Sequence, residues 1–128
     1  MEPFSVFSLG EILLVSIEEE IDDSSVQVLL DKVSEIVSRQ KSYGVIVDLQ
    51  NLEVVDSFLA DHLQQLARTL KLQDATMVIA GLAVPVVMIL LDFGIKLPDL
   101  AFALDVEQAL LRLQEKGGYK EDNNGPLQ

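Results

Sequence analysis

The sequence predicts a single α/β domain built on a mixed, mostly parallel β-sheet. Short apolar segments alternate with amphipathic helical segments in the order ββαβαβαβα, which is the pattern of strands joined by right-handed helical crossovers. Residues 44–49, GVIVDL, form a near-continuous apolar run that is typical of a strand covered on both faces. The chain has 128 residues, enough for one domain with a substantial core. We therefore expect one domain, with an N-terminal antiparallel hairpin and about four helices.

The first third of the chain predicts this hairpin and then a helix. Two apolar strands flank a turn that contains Gly10, and such a turn is typical of a hairpin. Ser24 followed by Gln27 has the spacing of a capping box, so we expect a helix from Ser24 to about Lys41. The two strands are residues 4–8 and 12–17, and the buried stripe of the helix is Val26, Leu30, Val33 and Val37.

A strand, a loop and a helix meet in the middle of the chain at Asp56 and Ser57. The strand is the run from Gly44, and the helix that follows shows leucines at helical spacing with polar residues on the other side. Either Asp56 or Ser57 can cap this helix, because each short side chain can accept a hydrogen bond from the first-turn amides. The leucines are Leu59, Leu63, Leu66 and Leu70, and the polar residues are Asp61, Gln64, Gln65, Arg68 and Lys71.

The last third predicts two strands, two helices and a tail. The expected strands are residues 76–82 and 100–104, and the expected helices are 83–93 and one that Asp105 and Gln108 cap. The final helix should turn Val106, Ala109, Leu110 and Leu113 inward. We expect the domain to span residues 1–116, and the polar residues 117–128 predict a disordered tail.

The helix predicted over 83–93 is apolar on every side. Pro85 suits its first turn. Two apolar faces are possible, so whichever face covers the sheet should leave the other toward solvent or a partner subunit. We therefore predict that domains pair through this helix. The two faces are Val84, Val87, Met88 and Leu91, and Val86, Ile89, Leu90 and Phe93.

Composition excludes several classes of function. The chain carries 9 basic and 21 acidic residues, a net charge of −12, which disfavours binding to nucleic acid and favours a cationic protein partner. It has no cysteine, which excludes disulfides and thiolate chemistry and fits a reducing compartment. The N-terminus lacks the pattern of a secretory signal, and the longest apolar stretch, residues 82–91, is too short to span a bilayer.

Two side chains could carry phosphate, the Ser57 hydroxyl and the Asp48 carboxylate. Ser57 at a helix start can be a plain N-terminal serine or a phosphorylated switch, where amides and the helix dipole favour the added charge and Asp56 opposes it. Asp48, inside the central strand, could be the phosphoacceptor of a receiver domain. That interpretation needs a lysine at the end of a late strand, and AFALD, residues 101–105, has none. Otherwise Asp48 binds loop amides and supports the turn before Asp56.

Other candidate sites are weaker. His62 is the only histidine, and its offset from Ser57 is unsuited to a general base, so we expect a partly exposed surface residue. The run Glu18 to Glu20 could hold a divalent cation, but successive strand residues do not all point to one site, so we expect a solvated strand end. The glycines form no phosphate-binding motif. No metal or cofactor is expected.

The element order and the run VIVDLQNLEVVDS, residues 45–57, resemble the STAS family of sulfate-transporter and anti-sigma-factor-antagonist domains over about residues 4–116. Family members carry a strand, an aspartate and then an Asp-Ser or Asp-Thr pair that opens a helix. Most antagonists follow the pair with a small residue and glycine, whereas here Phe58-Leu59-Ala60 follows. In this respect the chain looks like the RsbS type of stressosome scaffold protein.

The resemblance implies a non-enzymatic scaffold in bacterial stress signalling. It implies that Ser57 is phosphorylated by an RsbT-type switch-protein kinase, that a PP2C-type phosphatase resets it, and that the chain assembles with RsbR-type paralogues in a cytoplasmic particle. A homo-oligomer or dimer through the domain is also expected. The implied partner-binding residues are Asp56, Ser57, Phe58 and Asp61, with Asp48 in support. The alternative is a free anti-sigma factor antagonist that uses the same serine.

Overall fold

The computed structural model describes residues 3–92 and 101–124. Over these residues the chain alternates strands and helices in the predicted order. The strands are β1 Phe4–Leu9, β2 Ile12–Ile17, β3 Gly44–Asp48, β4 Thr76–Ala80 and β5 Ala101–Ala103. The helices are α1 Asp23–Gln40, α2 Ser57–Leu72, α3 Val84–Asp92 and α4 Val106–Asn124. The predicted ends at Phe93 and Leu100 lie outside the described residues.

The described strands form one sheet in the order β1-β2-β3-β4-β5. β1 pairs antiparallel with β2, and β2, β3, β4 and β5 are parallel neighbours. The predicted fold class, a mixed and mostly parallel sheet that opens with a hairpin, is confirmed. Parallel strands place their carboxyl ends at one edge of the sheet, so the loops that lead into α1, α2, α3 and α4 all begin at that edge.

The sheet is buried on both faces, because helices cover each side. α1, α2 and α3 pack on one face, where alternate strand residues such as Val15 and Val47 join their core. α4 packs on the other face, where Ala109 and Leu113 meet Ile46 and Val78. All of β3 is buried, as the apolar run predicted.

Helix α1 begins before the predicted cap. Asp22 is the N-cap, with extended backbone, and its carboxylate accepts a hydrogen bond from the Ser25 amide at 2.9 Å. Ser24 lies in the first turn and donates its hydroxyl to Asp22 at 3.1 Å. The predicted start at Ser24 is therefore wrong, because Asp22 with Ser25 has the same spacing and provides the cap. The predicted buried stripe is confirmed.

Helix α2 confirms the leucine stripe and corrects one residue of the polar side. Leu59, Leu63 and Leu70 are buried. Gln64, predicted to face solvent, is only 8% exposed. It lies at the boundary of the polar arc, where a helix of 3.6 residues per turn packed against a sheet covers more than a narrow stripe.

Helix α3 divides its apolar residues differently from either predicted face. Leu90 is buried, and Val86 and Val87 pack against the core. Val84 and Met88 are exposed, together with Ile89, whose side chain is 53% exposed. The outward strip therefore takes residues from both predicted faces, since a uniformly apolar helix carries no periodicity to orient it.

Helix α4 has the predicted start and a later end. The Gln108 amide donates to the Asp105 carboxylate at 2.8 Å, and the Gln108 side chain accepts from the Leu104 amide at 2.8 Å. The helix continues through Gly117 to Asn124, past the predicted end at residue 116, because the good helix formers Lys and Glu continue beyond the glycines. The predicted disordered tail over 117–128 stays a prediction, and 125–128 lie outside the described residues.

Candidate functional site

The candidate site lies where the β3–α2 loop meets the start of α2, at the carboxyl edge of the sheet. The loop leaves β3 after Asp48, and the Leu49 amide donates to the Ala80 carbonyl of β4 at 2.9 Å. A turn follows, in which the Leu52 amide donates to the Leu49 carbonyl at 3.0 Å. Leu52 and Val55 pack against the core. These contacts hold the loop against the sheet, so the start of α2 has a defined position.

Asp56 is the residue that caps α2. Its backbone is extended, with φ −91° and ψ 173°, and its carboxylate accepts from the Leu59 amide at 2.9 Å. Its carbonyl accepts from the Ala60 amide at 3.0 Å. Of the two caps that the sequence allowed, the structure has Asp56, which leaves Ser57 as the first helical residue.

Ser57 is exposed, and its hydroxyl has no hydrogen-bond partner among the described residues. The amides of Ser57 and Phe58 also have no described acceptor, while the Leu59 amide is occupied by Asp56. Unpaired amides at a helix start, together with the dipole, favour an anion. A phosphoryl group on the Ser57 hydroxyl would therefore find two nearby donors.

Phe58 and His62 form a tilted pair of rings in the first turns of α2, directly after Ser57. Their ring centroids are 4.3 Å apart, with an angle of 50° between the planes. The His62 Nδ1 lies 2.8 Å from the Phe58 carbonyl oxygen, and since a carbonyl can only accept, Nδ1 carries the proton of that bond. His62 is half-buried, as predicted for a surface histidine. The contact is local to one turn of α2 and holds the Phe58 ring in place.

Asp61 is exposed and lies one turn after Ser57. Residues four apart on a helix are neighbours on its surface, so the Asp61 carboxylate and the Ser57 hydroxyl share the outward face of α2. Asp56 and Glu53, both exposed, add further carboxylates before the helix. The surface around Ser57 is therefore acidic, and this favours a cationic partner.

Asp48 lies beneath the loop and is 8% exposed. Its carboxylate accepts from the Gln50 amide at 3.1 Å. Gly81 closes over this contact with φ +89°, and a Cβ there would lie 2.7 Å from the Gln50 nitrogen and 2.9 Å from the Asp48 Oδ1. The buried, amide-bound position suits support of the loop more than phosphoryl transfer at Asp48.

Sequence reasoning missed two contributors to the site. One is Gly81, whose part depends on β4 lying beside β3. The other is Asn51, whose side-chain amide donates to the Glu18 carboxylate at 2.8 Å across 33 positions of sequence. No sequence pattern links such distant residues, although an isolated glycine at a strand end was a signal for Gly81.

Glu18 joins the β2–α1 loop to the site. Its carboxylate accepts from Asn51 and, at 3.0 Å, from the Ser16 hydroxyl. In the part of the chain that the structure describes, no three acidic or histidine residues are grouped so that they could hold a metal ion. No described helix is long and apolar enough to cross a membrane.

Comparison with solved structures finds the same fold in signalling proteins. A serine-to-glutamate variant of Moorella thermoacetica RsbS is 25% identical with a TM-score of 0.78, covering 89% of this chain and 97% of that one. A chain from the stressosome, a signal integration and transduction hub, is 23% identical with a TM-score of 0.72, covering 88% and 98%. The unphosphorylated anti-sigma factor antagonist SpoIIAA is 17% identical with a TM-score of 0.70, covering 88% and 96%.

The last two likenesses show the fold alone. No curated protein sequence matches the chain. The family model of the STAS domain matches residues 6–109, which is most of the chain and includes the whole site around Ser57. The protein is therefore a member of the STAS domain family.

Proposed function

We propose that this protein is a non-enzymatic scaffold of bacterial stress signalling that sequesters a serine kinase and releases it when Ser57 is phosphorylated. The observation that carries the proposal is the exposed Ser57 hydroxyl, set at the start of α2 behind the Asp56 cap. The likeness to RsbS over nearly the whole of both chains supports a scaffold in a stressosome.

A phosphoryl group on Ser57 would change the surface more than the fold. It brings about two negative charges, which the helix start favours by roughly 0.3–1 kcal/mol. Against this, Asp56 and Asp61 are carboxylates on the same exposed face, and a like-charge pair four residues apart costs about 0.2–0.5 kcal/mol. The two contributions to the free energy of folding nearly cancel, so phosphorylation leaves the stability of the fold almost unchanged. Its effect is on the surface that the partner binds.

The partner in this scheme is an RsbT-type kinase whose substrate-binding surface is cationic. It contacts Asp56, Ser57, Phe58 and Asp61, with the Phe58 ring as the apolar part of the contact. RsbR-type paralogues co-assemble with this protein, a PP2C-type phosphatase removes the phosphate, and the assembly is cytoplasmic. The outward strip of α3, defined as Val84, Met88 and Ile89, is the contact with the paralogue.

A free anti-sigma factor antagonist is the second candidate. The same exposed serine at the start of α2 would control it. The size of the native complex separates the two functions. A megadalton particle with paralogues supports the scaffold, and a small complex with an anti-sigma factor supports the antagonist.

The test is phosphate transfer from the cognate kinase and ATP, followed by mass spectrometry. The Ser57→Ala variant should fold normally and take up no phosphate. Ser24→Ala is the matched control, because Ser24 is also an exposed serine in the first turn of a helix capped by aspartate. Unchanged uptake by Ser57→Ala, or loss of uptake by Ser24→Ala alone, would place the modified residue elsewhere.

A binding measurement completes the test. Unphosphorylated protein should hold the kinase, and the phosphorylated form should release it. Ser57→Asp supplies one charge where phosphate supplies nearly two and has fewer acceptor oxygens, so we expect partial release. Equal kinase affinity for the phosphorylated and unphosphorylated forms would contradict the switch.

A further inference from the structure

Strand β1 is an edge strand without the usual protection. Its sequence, FSVFSL, contains no charge, proline or glycine, in a chain with a net charge of −12. Edge strands that avoid pairing with other chains are usually short, or carry lysine, proline or a bulge. β1 pairs with β2 through six successive residues without a bulge. An exposed, regular and uncharged edge favours pairing with another strand.

The opposite edge of the sheet is protected. β5 has three residues, half the length of β1. The Arg112 guanidinium donates to the Phe102 carbonyl, and the Leu104 amide donates to the Gln108 side chain. Side chains of α4 therefore occupy backbone groups of β5 and of the residue that follows it. This contrast singles out β1 as the open edge.

The outward backbone groups of β1 can be identified from its register. The Glu18 amide donates to the Pro3 carbonyl at 2.7 Å, which makes Pro3 and Glu18 a hydrogen-bonded pair. Such pairs alternate with non-hydrogen-bonded pairs along an antiparallel ladder. The backbone groups of Phe4, Val6 and Ser8 therefore point away from β2, and no described residue bonds to them.

We infer that β1 pairs with β1 of a second copy of this chain about a two-fold axis at Val6, which joins the two sheets into one. Strands related by a two-fold axis perpendicular to the sheet are antiparallel, so the same edge serves both copies. With Val6 opposite Val6, Phe4 lies opposite Ser8 and the outward groups of all three residues find partners. Ser5 then lies opposite Phe7.

Side chains on both faces suit this register. On the face away from α1, Phe7 is 55% exposed, and the two Phe7 rings would be diagonal neighbours, which aromatic side chains can bridge. On the α1 face, Val6 packs partly against the core and would meet its own copy. The Lys32 ammonium of α1 lies over the same strand, 5.8 Å from the Phe4 ring centroid.

Charge makes a second copy the fitting occupant. Two chains of net charge −12 repel each other, so they can meet most easily at a surface without carboxylates, and β1 carries none. A cationic partner would find no negative charge on this strand to attract it. The inference goes beyond the proposed function because it does not require phosphorylation of Ser57. It is compatible with that function, because a closed particle needs a second interface besides the α3 strip.

The first test is sedimentation of the full chain over a range of concentrations. Wild type should reach a species of twice the 14.1 kDa chain mass, more readily at high salt because screening reduces the repulsion. Phe7→Lys should weaken association at least about tenfold, since it sets two lysines diagonally across the axis. Leu72→Lys is the control, because Leu72 is 88% exposed at the far end of α2, and it should associate like wild type.

Val6→Pro tests backbone pairing separately from side-chain contact. The Val6 amide points outward, so proline removes an intermolecular donor and no bond to β2. It should abolish the dimer while the circular dichroism spectrum is kept. A folded Val6→Pro variant that still forms the dimer would overturn the inference.

Disulfide trapping tests the register in a chain that has no native cysteine. Ser5→Cys with Phe7→Cys should give a covalent dimer on mild oxidation, because these positions are opposed across the axis. Phe7→Cys with Leu9→Cys is the control and should remain uncrosslinked. Monomeric wild type, or preferential crosslinking of the control, would overturn the inference. Phosphate uptake by Phe7→Lys should equal that of wild type, so failure here is distinct from failure of the Ser57 switch.

Discussion

Replacement of Gly81 by alanine tests whether the site depends on the contact between the β3–α2 loop and the end of β4. Gly81 has φ +89°, and an added Cβ would lie 2.7 Å from the Gln50 nitrogen and 2.9 Å from the Asp48 Oδ1. These are the two atoms of the hydrogen bond that holds the loop. The substitution therefore combines backbone strain with displacement of that bond.

Gly10→Ala is a control that separates backbone strain from overpacking in the loss of stability. Gly10 has φ +63°, and a Cβ added there would have no heavy atom within 4 Å, so its replacement costs only the left-handed conformation, about 1–2 kcal/mol. Gly81→Ala adds overpacking against a held loop, about 1–3 kcal/mol. We expect a loss of unfolding free energy of about 2–5 kcal/mol for Gly81→Ala.

The assay is urea unfolding of both variants with an unchanged m value, followed by phosphate uptake at Ser57. Gly81→Ala should be less stable than Gly10→Ala and should accept phosphate more slowly, because the loop that leads to Asp56 moves. If the two variants lose equal stability and Ser57 reacts at the wild-type rate in both, Gly81 does not support the site.

The remaining predictions concern caps and assembly. Asp56→Asn should keep the stability of wild type, because Asn caps as well as Asp, while Asp56→Ala should lose about 1 kcal/mol of unfolding free energy. Calorimetric titration with the kinase should show weaker binding for both variants. If Asp56→Asn binds the kinase as tightly as wild type, the only role of Asp56 is to cap the helix. Met88→Glu should keep the fold and reduce co-sedimentation with the paralogue, whereas Val87→Glu should destabilise the fold, because Val87 packs against the core. Hydrogen bonds from Ser25 and then Ser24 lower the pKa of Asp22, so its contribution to stability is present above its unfolded-state pKa and lost as pH falls through the folded one. Acid unfolding curves should therefore show wild type losing stability relative to Asp22→Asn on acidification, and parallel curves would contradict this.

The order of strands and helices along the chain was predictable because each element has its own local pattern. The strand from Gly44 is apolar along its length, and a strand of that kind is buried on both faces. The helix from Ser57 has a leucine period that orients it without help from the rest of the chain. Local signals of this strength need no tertiary information, so they also placed Ser57 at a helix start.

Other features depend on contacts that no local pattern contains. The cap of α1 is Asp22 and not Ser24, since both residues have a suitable partner three positions later and only the backbone path decides between them. The orientation of α3 follows from its contact with the core, where Leu90 is buried, because the nearly uniform apolar sequence of the helix has no period to orient it. The Asn51–Glu18 contact joins loops that become neighbours only when β2 and β3 pair.

The positions of the two proposed surfaces explain how assembly and signalling can operate together. β1 is the outer strand of the sheet, and β2 separates it from β3, whose loop leads to Ser57. Neighbouring strands are about 4.8 Å apart, so the paired edge lies roughly two strand spacings from the strand that carries the site. α1 contacts β1 through Lys32 and Gln40, and its Ser34 bonds to Gln73, the C-cap residue of α2, so α1 lies between β1 and α2. A second copy joined at β1 would therefore leave the Ser57 hydroxyl open, and the kinase could reach its substrate in the assembled state.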